Sequence, residues 1–390
     1  MKKYLFGAMV VGVAFTSCVN DLEADLAAEN NAKPISFEVA KYKASSRADA
    51  STVSDGDYGT YPTNQNFGAF AFYAAATNGE HEVLKNEDGA ALQNAKVGYA
   101  NNVWSTVDDT YFWPQRGHVD FVSYSPYSTD ATKVPVISHV NENKGDYNKL
   151  SFVGYTVGDD DLMYSDKAHL QTHNTNVIGG SGTPSGVPTL FRHALARLNF
   201  KVQGQNLVIA DPEDETKNVY WQIVVDTIQL NNLYNTGSLI LQTTSPTEAS
   251  TTQYEVPVNS QGYKVWTLST SSTGSTSKVW DNNRQGQLLT TNAVDYGNAT
   301  GYYVLPQAFQ ERVQSVTITY RVSNKVGNGS YDTPTRFSKT LYFYDYSASV
   351  KAWEVGKNIT YTILIDALGD VINFDPAVTD WETVEGTLGI

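Results

Sequence analysis

Short runs in which apolar and polar residues alternate recur along this chain. Ile35, Phe37 and Val39 alternate with Ser36, Glu38 and Ala40, which predicts a short strand with one apolar face. Strand signals return over 67–73, 111–113, 119–124 and 150–157. Ala194, Ala196, Leu198, Phe200 and Val202 then alternate with His193, Leu195, Arg197, Asn199 and Lys201 without a break. Residues 203–218, with Gly204, Asp211-Pro212 and several carboxylates, break the pattern and form the best candidate boundary. Beyond it, β-branched and aromatic runs bounded by turn residues cover 219–230, 238–242, 302–305, 316–322, 337–343 and 358–365. The Ser/Thr-rich stretch 243–278 reads as loops and edge strands of the second half. No long amphipathic helix and no long repeat is visible. The pattern predicts an all-β chain of two tandem β-sandwich domains, 48–203 and 204–390, joined by a short linker.

The first residues carry a different signal. Lys2 and Lys3 precede an apolar stretch from Tyr4 to Phe15, and Thr16-Ser17-Cys18 follows. The stretch is too short to cross a ~30 Å hydrocarbon core, so 1–17 reads as a signal peptide. An apolar residue, two small residues and a cysteine resemble a bacterial lipobox, in which the thiol is acylated. Cys18 is therefore the expected lipidation site, and several acyl chains on one residue anchor stably where one would not. Asp21, Glu23 and Asp25 then resemble the acidic tract that marks surface export, or form an ordinary solvated linker.

Composition narrows the function classes. The chain has 390 residues, 41% hydrophobic and 17% charged, so it can build sizeable cores. Its net charge of −14 argues against a nucleic-acid or anionic-membrane surface. Twenty-five Tyr, 15 Phe and 7 Trp against 3 Met fit a β-rich fold. One cysteine excludes a disulfide framework and any zinc site built on several thiolates.

Candidate chemistry is sparse. His169 and His173 lie four apart, without a helix or a third ligand, and read as loop residues rather than metal ligands. Asp55 and Asp57 lack the acidic residue that closes a calcium loop. Gly179-Gly180-Ser181-Gly182 is no nucleophile elbow, and Asp159-Asp160-Asp161 reads as a solvated turn. Carboxylate pairs that meet only in space stay open. Three Asn-x-Ser/Thr sites begin at Asn298, Asn328 and Asn358, a pattern of little weight in a bacterial lipoprotein. The expectation is a non-enzymatic protein without metal or cofactor.

Several blocks, in order, resemble the fimbrillin family, the type V pilins of Bacteroidales. They are Trp104, then Tyr111-Phe112-Trp113-Pro114, Val119 to Tyr127, Asp161-Leu162-Met163-Tyr164-Ser165, and Leu190 to Leu198. In the second half Tyr302 to Gln307, Trp353 to Lys357, and Ile372 to Trp381 continue the series. Each block alone is a generic strand signature, and the joint order carries the resemblance. Trp113, Phe121, Tyr124, His193 and Trp381 read as core or sheet-surface residues. The resemblance implies transthyretin-like sandwiches and a structural subunit of a surface adhesion fibre.

It also implies a maturation route: export as an outer-membrane lipoprotein, cleavage after an Arg by a trypsin-like protease, and polymerisation by strand exchange with other fimbrial subunits. Arg47-Ala48 is the matching position, in a Ser/Ala/Asp/Thr-rich segment where nicking concentrates. The propeptide 18–47 would then leave with the lipid and the strand of Ile35, Phe37 and Val39. Burial of those three side chains is worth on the order of 5–9 kcal/mol as an upper bound. Its loss leaves an apolar groove between unpaired strand edges. Val384, Leu388 and Ile390, with Gly386 between them, share one face of the last segment and form the expected donor strand. Two other readings stay open: a fimbrial tip or anchor subunit, and a surface glycan-binding lipoprotein in which Tyr and Trp stack on sugars. An anchor should lack the Arg site or the donor segment, whereas sugar binding by a cysteine-free form favours the last reading.

Overall fold

The computed structural model describes residues 33–42, 58–74, 81–138, 149–165, 167–172, 186–241, 254–255, 266–268, 276–280, 287–296, 301–346, 350–367 and 372–380. Helix among them is limited to Glu215–Lys217 and Phe343–Tyr346, so the chain is all-β.

The first half is built on strands β1 (Phe37–Tyr42), β2 (Phe67–Ala74), β3 (Ala95–Ala100), β4 (Val103–Thr106), β5 (His118–Ser125), β6 (Lys149–Thr156), β7 (Met163–Ser165) and β8 (Val187–His193). Seven of them close on themselves. β2 pairs with β5, β5 with β7, β7 with β8, β8 with β1, β1 with β4, β4 with β3 and β3 with β2. Only β8–β1 is parallel. This barrel-like ring corrects the expectation of a two-layer sandwich for the first half. Closure removes the open edges that a flat sheet would present. Period-2 alternation then sorts the side chains. Phe67, Ala69, Ala71, Val119 and Phe121 fill the ring, while Phe70, Phe72, Val122 and Tyr124 face outward into a second cluster.

The second half contains β9 (Ala196–Gln205), β10 (Val219–Leu233), β11 (Thr236–Leu241), β12 (Ser315–Val326), β13 (Thr335–Tyr342), β14 (Lys357–Asp366) and β15 (Ile372–Asp380). One sheet carries β9, β14 and β15, and another carries β10, β12 and β13. Leu198 and Phe200 of β9, Ile223 and Val225 of β10, Ile318 of β12 and Tyr361 and Ile363 of β14 meet in one core, so the two sheets pack face to face. Trp353 is sealed into this core and donates its indole N–H to the Tyr361 hydroxyl at 2.9 Å.

Two segments pair across the boundary expected at 203/204. β9 runs straight through it, parallel to β14 over nine residue pairs from Arg197↔Asn358 to Gln205↔Asp366. β11 follows it, yet pairs with β6 of the first half, and Leu239 packs beside Phe152 and Tyr155. The 243–278 stretch also divides. Tyr254–Glu255 and Trp266–Leu268 pair with first-half elements and β11, whereas Thr276–Trp280 pairs with β10. Leu195 and Leu305 join Phe72 and Tyr124 in the outer cluster, so the two halves share apolar packing.

Candidate functional site

Strand β1 supplies one stave of the ring, and its approach is fixed before it begins. Trp113 N–H donates to the Lys33 carbonyl at 3.0 Å, and Ile35 N–H donates to the Tyr111 carbonyl at 2.8 Å. Val187 N–H donates to the Ser36 carbonyl at 2.7 Å, and the parallel register then runs from Phe37↔Val187 to Lys41↔Phe191. On its other side β1 meets β4 only at Phe37↔Trp104, while the Tyr58–Thr60 strand pairs with Ala40 to Tyr42.

Ile35 and Phe37 are each 3% exposed. The Phe37 ring meets Phe67 and Phe121 edge to face, with centroids 5.6 and 5.9 Å apart. Such pairs add about 0.5–1.5 kcal/mol each beyond area burial. Val39 is only half-buried at the rim of the same cluster, so two side chains, not three, are sealed in. Tyr61 completes this wall. It stacks on Phe191 at 4.9 Å, and its hydroxyl lies 2.6 Å from Ser125 Oγ. Burial pushes the Tyr61 hydroxyl well above the usual tyrosine range, against a smaller opposite effect of the Ser125 bond. The group stays neutral at any physiological pH, which suits a water-poor wall.

Gly186 marks how closely β8 approaches β1. A Cβ at that position would sit 2.6 Å from the Phe37 carbonyl carbon and 2.8 Å from the Glu38 nitrogen. Backbone cannot yield as a flexible side chain can. Gly186→Ala should therefore push β1 outward and cost the uncleaved chain about 1–3 kcal/mol in chemical denaturation. No change in the midpoint would show that β1 is not packed against Gly186.

The other expected site residues divide plainly. Cys18, Arg47, Ala48, Val384, Gly386, Leu388 and Ile390 lie outside the described residues, as do Trp381, Asp55, Asp57, His173 and the 179–182 glycines. The 15 residues 43–57 that carry Arg47 connect Tyr42 to Tyr58, which are register partners. A cut there would separate β1 from its neighbour without passing through a described strand. The Asp159–Asp161 turn splits in role. Asp160 forms an exposed ion pair with Lys133 at 3.1 Å, whereas Asp161 reaches the buried His193, Oδ2 to Nδ1 at 2.9 Å. Arg197 stands near this pair, its pKa lowered by burial and partly restored by Tyr303 and Asp161. The His193–Asp161 contact joins residues 32 positions apart, a pairing that sequence reasoning missed.

Comparison with protein families matches residues 47–381 to a family described as fimbrillin-like. A fimbrial protein from Bacteroides vulgatus ATCC 8482 is similar at 17% identity, over 89% of this chain and 99% of that one, with a TM-score of 0.49. The tip fimbrial protein Mfa3 from Porphyromonas gingivalis, C-terminally truncated, is similar at 11% identity, over 90% and 100%, with a TM-score of 0.33. Comparison with curated proteins gives no match. A family match over most of the length settles the relationship: the chain belongs to the fimbrillin-like family.

Proposed function

We propose that this protein is a structural subunit of a cell-surface fimbrium, whose ring is completed first by its own β1 and later by the C-terminal segment of another copy. Membership of the fimbrillin-like family makes it a fimbrial adhesion protein, with other fimbrial subunits as partners and the extracellular fimbrium as its place. The finer steps are our reading. Lipid on Cys18 holds the precursor at the outer membrane. A trypsin-like protease cuts between Arg47 and Ala48. Segment 18–47 leaves with β1, and Val384, Gly386, Leu388 and Ile390 of the next subunit enter the gap. We keep the transthyretin-like description for the second half, where two sheets pack through one core.

The observation that carries this reading is the placement of β1. It is a stave of the ring with two sealed side chains, yet it lies before the Arg47 segment and outside the 47–381 family match. Removing it would bare the β8 edge and the cavity around Phe67, Phe121 and Val187. An unpaired edge beside an apolar slot is a template for an added strand. Head-to-tail repetition of that contact gives an open fibre, because a heterologous interface need not close.

Limited trypsin treatment of the purified precursor, followed by N-terminal sequencing and electron microscopy, tests the order of events. Fibres should appear only after cleavage and should begin at Ala48. Arg47→Ala should leave monomer, and fibres from that variant at the normal rate would refute the cleavage step. Cys18→Ala should abolish fatty-acid labelling, and persisting label would move the anchor elsewhere.

A further inference from the structure

One buried charge pair is unused by strand exchange. Lys167 opens the short strand Lys167–Gln171, and its Nζ lies 3.2 Å from Asp120 Oδ2 of β5. The two side chains are 1% and 0% exposed. Lysine and aspartate are almost never sealed so completely unless they are paired, as these two are. The strand pairs antiparallel with β5 through Ala168↔Phe121, and both of those residues point into the ring core. Alternation sets Lys167 and Asp120 on the outer face, where Phe72 is the register partner of Asp120 and Val122 follows two residues on. Tyr254–Glu255 pairs along the far side of the lysine's strand, so Lys167 lies between two strands rather than at an edge.

Two full charges in such surroundings face a desolvation cost that their attraction barely offsets. The pair sets a side-chain nitrogen directly against a carboxyl group. Those are the two reactants of amide formation, held in contact at high effective concentration.

We propose that Lys167 and Asp120 condense into a side-chain amide. Nζ attacks Cγ of Asp120, the N–C bond forms and one Cγ–O bond breaks. That oxygen leaves as water with two of the three ammonium protons, and the third stays on the amide nitrogen. The pair is neutral overall before and after, and the step needs no oxidant or cofactor. The bond ties the 118–125 strand to the 167–171 strand and closes the chain between them. Both residues lie beyond Ala48, so the clamp would persist in a mature subunit that has no cysteine. It is independent of the strand-exchange reading.

Mass spectrometry of a denatured tryptic digest of the full chain tests it. The peptide Gly117–Lys133 should be found joined to Leu150–Arg192, lighter than their sum by one water, with no cleavage after Lys167. Lys167→Arg keeps the positive charge but should release the two segments separately. That variant should also melt about 10 °C lower, by the loop-closure effect known for other cross-links. Separate wild-type peptides, with trypsin cutting after Lys167, would show a plain ion pair and overturn the proposal.

Discussion

Deleting Val384–Ile390 should abolish polymerisation while leaving a folded protein that is still cleaved after Arg47. The last described strand, β15, ends at Asp380 and is paired with β14 over nine residues. The described second-half core likewise draws on residues up to Ala367. Among the described residues the core and the β14–β15 ladder form without the last seven, so their removal should spare thermal stability. Assembly is different, because the gap left by β1 then has no occupant. Size-exclusion chromatography and electron microscopy of the cleaved truncated protein check this directly. Fibres formed at the normal rate would remove the C-terminal segment from the assembly step.

Phe37→Ala should destabilise the uncleaved precursor by about 3–5 kcal/mol, the usual cost of emptying a buried aromatic site. Phe37 is nearly sealed and loses two edge-to-face partners, Phe67 and Phe121, when truncated. The same substitution should leave the mature fibre untouched, since residue 37 departs with the propeptide. Denaturation of precursor and fibre, compared between wild type and variant, separates the two. An equal loss in both would mean that β1 stays in place during assembly. The contacts of Phe37 also refine the energetics of exchange. Residues 384–390 contain no aromatic side chain, so an incoming segment cannot rebuild those two ring contacts. Three apolar residues replacing three is thus not an even trade. In the proposed exchange, irreversible peptide cleavage rather than better packing of the donor would supply the drive.

Local pattern made the strands legible, and it failed where the partner is distant. The alternation Ala196, Leu198, Phe200, Val202 announces β9, but no local feature says that β9 lies parallel to a strand some 160 residues later. Likewise Ile35 and Phe37 announce an apolar face on β1, while its parallel alignment with Val187–Phe191 and the closure of the ring depend on long-range pairing. Val39 shows the limit of period-2 reasoning. It falls on the buried face yet sits at the rim, where only half of it is covered. Polar groups were the least legible. In Val119-Asp120-Phe121 the aspartate reads as solvent-facing, as it would be on a one-sided sheet. The outer face of the ring is instead covered by β6 and β11, and Asp120 needed Lys167 as its partner. His193 and Asp161 were each visible as residue types, but their pairing across 32 positions was not.

The central claim is that β8 loses one strand partner on cleavage and gains another on assembly. Hydrogen–deuterium exchange at the backbone amides of Val187–Phe191 tests it without assuming any register for the incoming strand. Three states can be compared: the uncleaved precursor, the cleaved protein lacking Val384–Ile390, and the wild-type fibre. The Val187 amide, bonded to Ser36 in the precursor, should be protected there, exchange freely in the truncated monomer and be protected again in the fibre. Equal protection in all three states would contradict the account, because β8 would then never have exchanged its neighbour.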